Sequence, residues 1–405
     1  VLSNVGRALR HRNYRLFFIG QGTSLVGTWI TRVATAWLVF RLTGSALLLG
    51  VVGFSGQLPT FLLAPFAGVL VDRWSRHRVL VVAQILSMIQ SALLAFFALT
   101  KTITVWHVLA LVAFQGLINA FDTPARQAFV VEMVETREDL PNAIALNSSI
   151  VNLARLVGPS IAGVLIALFG EGWCFTIDAV SYIAVIASLL MMRIAPRAPR
   201  PAPQKVLREL AEGFRYVASH ETIRAVLLML ALASLVGMPY VVLLPVFAKN
   251  VLHGGPHTFG ALTGASGVGA IGGALWLASR KSVAGIDRVL VGAGCVFGAS
   301  LVAFGFSPWA WLSFAAMVTT GAGMMIQMAS GNTLLQTVVT EDKRGRVMSF
   351  YTMAFFGMVP FGSLAAGFLA DRIGVQWTVA SGGVATLLAV LVLGARGLTI
   401  REPTA

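Results

Sequence analysis

Acid is scarce in this chain: 16 Asp and Glu stand against 30 Lys and Arg in 405 residues, and charged residues of both signs make up only 11%. So little charge cannot solvate a globular surface. With 57% hydrophobic residues and a mean hydropathy of +0.81, an ordinary soluble protein is excluded and a polytopic membrane protein is implied. Cysteine is nearly absent. Cys174 and Cys295 lie in apolar runs with no Cys or His at ligand spacing, which excludes a disulfide framework and a zinc set. The six His fall in loops or near the ends of apolar runs, so no metal and no clustered catalytic groups at membrane depth are expected. No Walker loop occurs, which argues against ATP hydrolysis; no cofactor is expected. The start lacks the apolar core and cleavage site of a signal peptide and carries Arg7, Arg10, Arg12 and Arg15 instead.

What the chain does have is apolar runs long enough to cross a bilayer, which needs about 20 residues each. Twelve are placed at about 14–40, 46–72, 79–99, 104–130, 141–169, 173–193, 223–248, 258–279, 287–306, 309–338, 347–371 and 375–396. Between the sixth and seventh lies a stretch with Pro196, Pro199, Pro201 and Pro203, then an amphipathic segment at 207–217. The expected organisation is an N-terminal six-helix bundle (1–193), a surface linker (194–221) and a C-terminal six-helix bundle (222–405). Charge placement gives an independent check. The N-terminal arm, Arg73, Arg76, Arg78, Arg137, the linker, Arg280, Lys281, Arg288, Lys343, Arg344, Arg346 and the tail fall on one side. Arg41, Lys101, Lys249 and Arg372 fall on the other. Both termini are therefore expected in the cytoplasm, with an even number of spans. The net charge of +14 follows topology rather than a polyanion, and no nucleic-acid partner is expected.

An internal repeat supports two halves. Gly163, Leu165, Gly170 and Trp173 recur as Gly367, Leu369, Gly374 and Trp377, a shift of 204 residues from Trp173 to Trp377. The fifth and eleventh spans are then equivalents, and Asp371-Arg372 ends its span on the outer side.

Charges inside the spans are few: Arg32, Asp122, Arg126, Arg155 and Asp178, each costing about 2.5–3.5 kcal/mol near mid-membrane unless it faces a cavity or a partner. Asp122 and Arg126, four apart around Pro124, share a helix face. They either titrate with a transported proton or form a static pair bracing a kink. Asp178 and Arg32 either pair or serve separately, and Asp178 is either a proton carrier or a shallow polar residue. Arg155 either binds an anionic group or neutralises Asp122. Trp29, Arg32, Gln115, Asn119, Tyr240 and Gln327 are candidates for an apolar, aromatic substrate cavity, although Trp and Met stripes also arise from helix packing alone. Gly267-x-Gly269-x-x-Gly272 lies inside a span with no preceding strand. With Gly264 and Gly273 it reads as small-residue helix packing, not dinucleotide binding.

Residues 68–80, Gly-Val-Leu-Val-Asp-Arg-Trp-Ser-Arg-His-Arg-Val-Leu, form a turn between two spans. The bland reading of this charge is simple positive-inside anchoring. The stretch also resembles motif A of the major facilitator superfamily, with Ser75 where the family has a second Gly. The resemblance implies that Gly68, Asp72, Arg73, Arg76 and Arg78 form a cytoplasmic gate. Gly158, Pro159 and Gly163 resemble the helix-bending motif C of its antiporters, with Ala154 replacing one Gly. Motif B is incomplete: Gln115-Gly116 is present, but Val112 holds the Arg position. The segments Arg12-Asn-Tyr-Arg-Leu-Phe, Asn119 to Val130 and Asp139 to Ser149 look like the subgroup of enterobactin exporters and macrolide efflux proteins.

The resemblance implies twelve helices in two pseudo-symmetric bundles. It also implies export of a bulky organic or amphipathic molecule, drug-like or siderophore-like, by proton antiport with alternating access. The expected partners are that small molecule, protons and membrane lipid, with the protein a monomer. A lysophospholipid flippase is the alternative within the class. A non-transporting receptor and an intramembrane enzyme are alternatives outside it.

Overall fold

A computed structural model of the chain describes residues 6–134, 136–194, 206–280 and 282–397. The Pro-rich stretch 196–203 and the side chains of Gly68, Asp72 and Arg73 lie outside the described residues. The described chain is helical. Helices α1 (Arg12–Thr43), α2 (Ala46–Arg73), α3 (Arg76–Leu99), α4 (Val105–Met133), α5 (Leu140–Phe169) and α6 (Glu171–Leu190) come first, and α7 (Val206–Ser219) follows in the linker. Then come α8 (Glu221–Leu232), α9 (Tyr240–Asn250), α10 (Pro256–Ala278), α11 (Ile286–Gly305), α12 (Ala310–Val338), α13 (Glu341–Phe356), α14 (Val359–Ile373) and α15 (Val375–Gly397). Among the described residues twelve spans are long and apolar enough to cross a membrane. They match the expected spans, with α8 and α9 sharing the seventh and α13 and α14 the eleventh.

Those two divisions were not expected. In the seventh span a π-turn at Ala233–Gly237 carries a Met238 N–H bond to the Ala233 carbonyl at 3.0 Å, and Pro239 follows with no N–H to give. In the eleventh, Gly357 and Met358 separate the two helices and Pro360 sits in the first turn of α14. The breaks face each other: a Cβ at Gly362 would stand 2.1 Å from the Leu235 carbonyl oxygen. Gly is thus required where a broken helix presses on a π-turn.

The repeat is visible in backbone geometry. Gly170 ends α5 at φ 83°, ψ 172° and Gly374 ends α14 at φ 86°, ψ 155°, a region that favours glycine. Each caps its helix, through Gly170 N–H to the Ile166 carbonyl and Gly374 N–H to the Ala370 carbonyl, both at 3.0 Å. Gly163 and Gly367 are matched as well. A Cβ at Gly163 would meet the Pro256 carbonyl oxygen at 2.8 Å, and one at Gly367 the Ala46 carbonyl oxygen at 2.6 Å. In each repeat the same glycine lets a helix start lie directly on its backbone.

The chain divides into two compact units. One holds α1, α2 from residue 55, α3 to α6 and residues 255–260; the other holds residues 44–54, α7 to α9, α10 from residue 261, and α11 to α15. The first has a core of Tyr14, Phe17, Leu80, Phe129, Val185 and Leu189. The second is centred on Val226, Leu230, Leu290, Leu334 and Val390. Val217 of α7 belongs to that second core, so the linker helix is seated rather than free. In the second unit Asp371 does local work: its carboxylate accepts from Ala46 N–H at 2.9 Å, Leu47 N–H at 3.2 Å and Ser45 Oγ at 2.9 Å. It caps the positive end of α2, where orphan N–H groups favour a carboxylate.

Candidate functional site

A polar seam runs through the first unit. Its floor is α3, where Gln84, Ser87, Gln90 and Ser91 are all buried at a spacing that puts them on one helix face. Neutral polar residues have no place on a lipid-facing stripe, so this face turns inward and meets α4 and α6. Gln84 Nε2 donates to Asp122 Oδ1 at 2.8 Å, and Ser91 Oγ donates to Asp178 Oδ2 at 2.7 Å. Between them Gln115 Nε2 donates to Ser87 Oγ and to Asn119 Oδ1, each at 3.1 Å. Gln115, Asn119 and Asp122 of α4 are thus joined to the distant Asp178 of α6 through α3.

The two carboxylates differ in their settings. Asp122 is 3% exposed and holds Arg126 Nη2 through Oδ2, the pair expected from their four-residue spacing. Arg126 Nε is buried without a partner. Asp178 is 1% exposed, and its Oδ1 has no hydrogen-bond partner. It sits over Gly27 of α1, where a Cβ would come within 2.7 Å of that same oxygen. An unpartnered buried polar atom costs about 1–3 kcal/mol. Asp178 Oδ1 is left as an acceptor and Arg126 Nε–H as a donor, each without a protein partner.

Arg32 and Arg155 pair with neither carboxylate. Both guanidiniums lie over the Trp29 ring, at 4.9 Å and 6.0 Å from its centroid. Gly158 makes this possible: a Cβ there would stand 2.5 Å from Trp29 Cβ, so the motif C glycine lets α5 close on α1 at the tryptophan. Pro159 is buried beside it. The two candidates from the second unit lie inside that unit. The Tyr240 hydroxyl bonds Ser266 Oγ at 3.1 Å, and Gln327 is 2% exposed with its Nε2 unpartnered.

At the turn between α2 and α3, Ser75 is the N-cap of α3, accepting from Arg78 N–H at 3.5 Å. The departure from the family's Gly therefore starts a helix. Arg76 Nη1 donates to Glu132 Oε1 at 2.9 Å and to the Ala128 carbonyl at 3.3 Å, fastening this turn to the end of α4. Arg78 is exposed.

The segments that resemble one subgroup also fold onto each other. The Tyr14 hydroxyl donates to the Ala143 carbonyl at 2.7 Å and Ala8 N–H to Asn142 Oδ1 at 3.0 Å. His11 Nε2 bonds Asp139 Oδ2 at 3.0 Å. Asp139 lies between α4 and α5, outside the spans, and the His11 bond, helped by Thr136 and Arg7, holds its carboxyl below the usual range. Because the folded pKa is depressed, this stabilisation is present above the unfolded value of about 3.9 and fades as pH falls through the folded one. Asp139→Asn is expected to give a severalfold faster tryptic cleavage after Arg10 or Arg12 at neutral pH, and amide exchange at Ala8, followed as pH is lowered, is expected to become equal in variant and wild type once the folded carboxyl protonates.

The chain matches the family described as "Transmembrane secretion effector" over residues 6–403. It is similar to the staphyloferrin A transporter of Staphylococcus aureus, 27% identical over 93% of this chain and 94% of that one. It is also similar to macrolide efflux protein A of Streptococcus pyogenes, at 25% over 94% and 96%. The multidrug efflux pump Tap of Mycolicibacterium fortuitum is 27% identical over 92% and 91%. Among solved structures the nucleoside transporter NupG superposes with a TM-score of 0.73, at 15% identity over 96% and 99% of the two chains. A bacterial homolog to the human lysosomal transporter Spinster gives 0.70, at 15% over 95% and 96%. Twelve spans, a two-fold internal repeat, an inward-turned polar seam and these likenesses converge: the chain belongs to the transmembrane secretion effector family of major facilitator transporters, multi-pass membrane proteins that are not enzymes.

Proposed function

We propose that this transporter exports a bulky organic or amphipathic small molecule by proton antiport, its two six-helix bundles (1–193 and 222–405) alternating about the 194–221 linker. The observation that carries this reading is the seam of the first unit, where buried Asp122 is held by Gln84 and Arg126, and buried Asp178 is held by Ser91 with its other oxygen unpartnered. Antiport needs a buried acid that can exchange a proton for substrate, and Asp122 and Asp178 are the two that the seam supplies. Relatives named for siderophore, macrolide and multidrug transport support the substrate class. Asp122, Arg126, Arg155 and Asp178 are the proton or substrate groups. Gly68, Asp72, Arg73, Arg76 and Arg78 form the cytoplasmic gate, and Trp29, Arg32, Gln115, Asn119, Tyr240 and Gln327 line the path. The protein works as a monomer in a bacterial inner membrane, in contact with its lipid and with both termini cytoplasmic.

The test is uptake of rhodamine 6G, a macrolide and a catecholate siderophore into everted vesicles carrying the protein, with and without an inward-acid gradient. Uptake of at least one compound that collapses on adding a protonophore is expected. Uptake indifferent to the protonophore removes the coupling, and no uptake of any of the three removes the substrate class.

A further inference from the structure

Two Arg residues near the span ends of the first unit are paired. Arg41 gives Nε and Nη2 to Glu171 at 2.8 and 3.1 Å, and Arg76 holds Glu132 at 2.9 Å. Arg32 and Arg155 sit within spans, where a guanidinium is costly. Among the described residues neither makes an ion pair or a hydrogen bond; both lie over Trp29, and Arg32 feels Tyr182 and Asp178 only through longer-range electrostatics. They come from different helices, α1 and α5, and Gly158 is what allows them to share one ring. Arg32, Arg126 and Arg155 also outnumber the seam's two carboxylates, Asp122 and Asp178, and Asp122 is already committed to Arg126.

A region with surplus unpaired positive charge and an aromatic surface selects for negative charge on a partly apolar body. Guanidinium forks match carboxylates geometrically. We infer that Trp29, Arg32 and Arg155 form a subsite for an organic anion, and that the exported molecule is an amphiphile bearing a carboxylate or an ionised catechol rather than a cation. This rests on the exporter reading and narrows it. Bound substrate would supply the counter-charge that the protein leaves out, so that the guanidiniums pay their desolvation only when loaded.

The experiment uses purified full-length protein in lipid nanodiscs and equilibrium dialysis. The probes are two xanthene dyes of similar size, carboxyfluorescein (anion) and rhodamine 6G (cation), with a hydroxycarboxylate siderophore and a catecholate siderophore as further anions. Wild type is expected to bind at least one anion more tightly than rhodamine 6G. Arg155→Gln and Arg32→Gln should each weaken that anion about tenfold or more, with rhodamine 6G bound equally or more tightly, and Arg155→Lys should restore part of the loss because it keeps the charge. Size-exclusion profiles identify a variant that fails to fold, in which case the Lys variant and Arg32→Gln carry the comparison. The inference is overturned if no anion binds wild type, or if anion affinity is indifferent to both Gln variants. Gradient-driven rhodamine 6G uptake that persists alongside such a result would leave the exporter reading intact and sink only the anion subsite.

Discussion

Asp122→Asn is expected to reduce gradient-driven uptake into everted vesicles to background while the protein still folds. The Asn Oδ1 can keep the Gln84 bond at the position where Asp122 Oδ1 now accepts at 2.8 Å, so the seam keeps its shape. What disappears is a group that can gain and lose a proton, together with the counter-charge of Arg126. The Arg126 side chain is 26% exposed, so water screens part of the loss, and the stability cost is set at about 2 kcal/mol, that of one charged hydrogen bond. Asp122→Asn combined with Arg126→Gln should recover most of this stability but none of the coupling, which separates the two effects in a double-mutant cycle. Full gradient-driven uptake in the single variant would assign Asp122 to bracing the Pro124 region and leave Asp178 as the proton carrier.

The second large effect is one of packing. Gly269→Ala is expected to lower stability by about 3 kcal/mol, the upper end of overpacking costs. A Cβ there would fall 1.8 Å from the Val318 carbonyl oxygen and 2.7 Å from its carbon. Both are backbone atoms, so α10 and α12 must separate rather than a side chain turn aside. Gly321 makes the reciprocal approach, with Ser266 O 1.9 Å from its would-be Cβ. Gly272, the last glycine of the Gly-x-Gly-x-x-Gly string, meets nothing within 4 Å. Gly272→Ala should therefore be neutral or stabilising by up to about 1 kcal/mol from helix propensity. Thermal unfolding of the two variants in the same detergent checks the contrast; equal midpoints would contradict the close crossing.

As sequence that string is one packing stripe, and the structure splits it, because spacing alone does not say which glycines face a neighbour. Elsewhere legibility follows what each feature depends on. The spans were readable because hydrocarbon thickness fixes their length and polarity. The repeat was readable from Gly170 and Gly374, whose positive φ leaves little choice of residue. Asp122 and Arg126 could be paired on paper because one helix turn joins them. The link from Asp178 to Ser91 crosses 87 residues of chain, and no local pattern announces it. A signal for the floor of the seam was nonetheless present: Gln84, Ser87, Gln90 and Ser91 keep a helical period inside an apolar run. Being uncharged, they carry a smaller membrane penalty and stand out less in an apolar run than the ionisable residues do. The breaks at Ala233–Gly237 and at Gly357 were hidden because their backbone groups are re-satisfied within the helix, so hydropathy runs through them unchanged.

The central claim is that buried carboxylates exchange protons for substrate, and proton movement itself is its most direct measure. Purified protein in liposomes loaded with the pH dye pyranine would be given an outward-directed gradient of a transported compound with no pH difference imposed. The account predicts that substrate leaving drives protons in, seen as acidification of the lumen, and that Asp122→Asn abolishes this signal. Substrate efflux at the wild-type rate with no change in lumenal pH would contradict it.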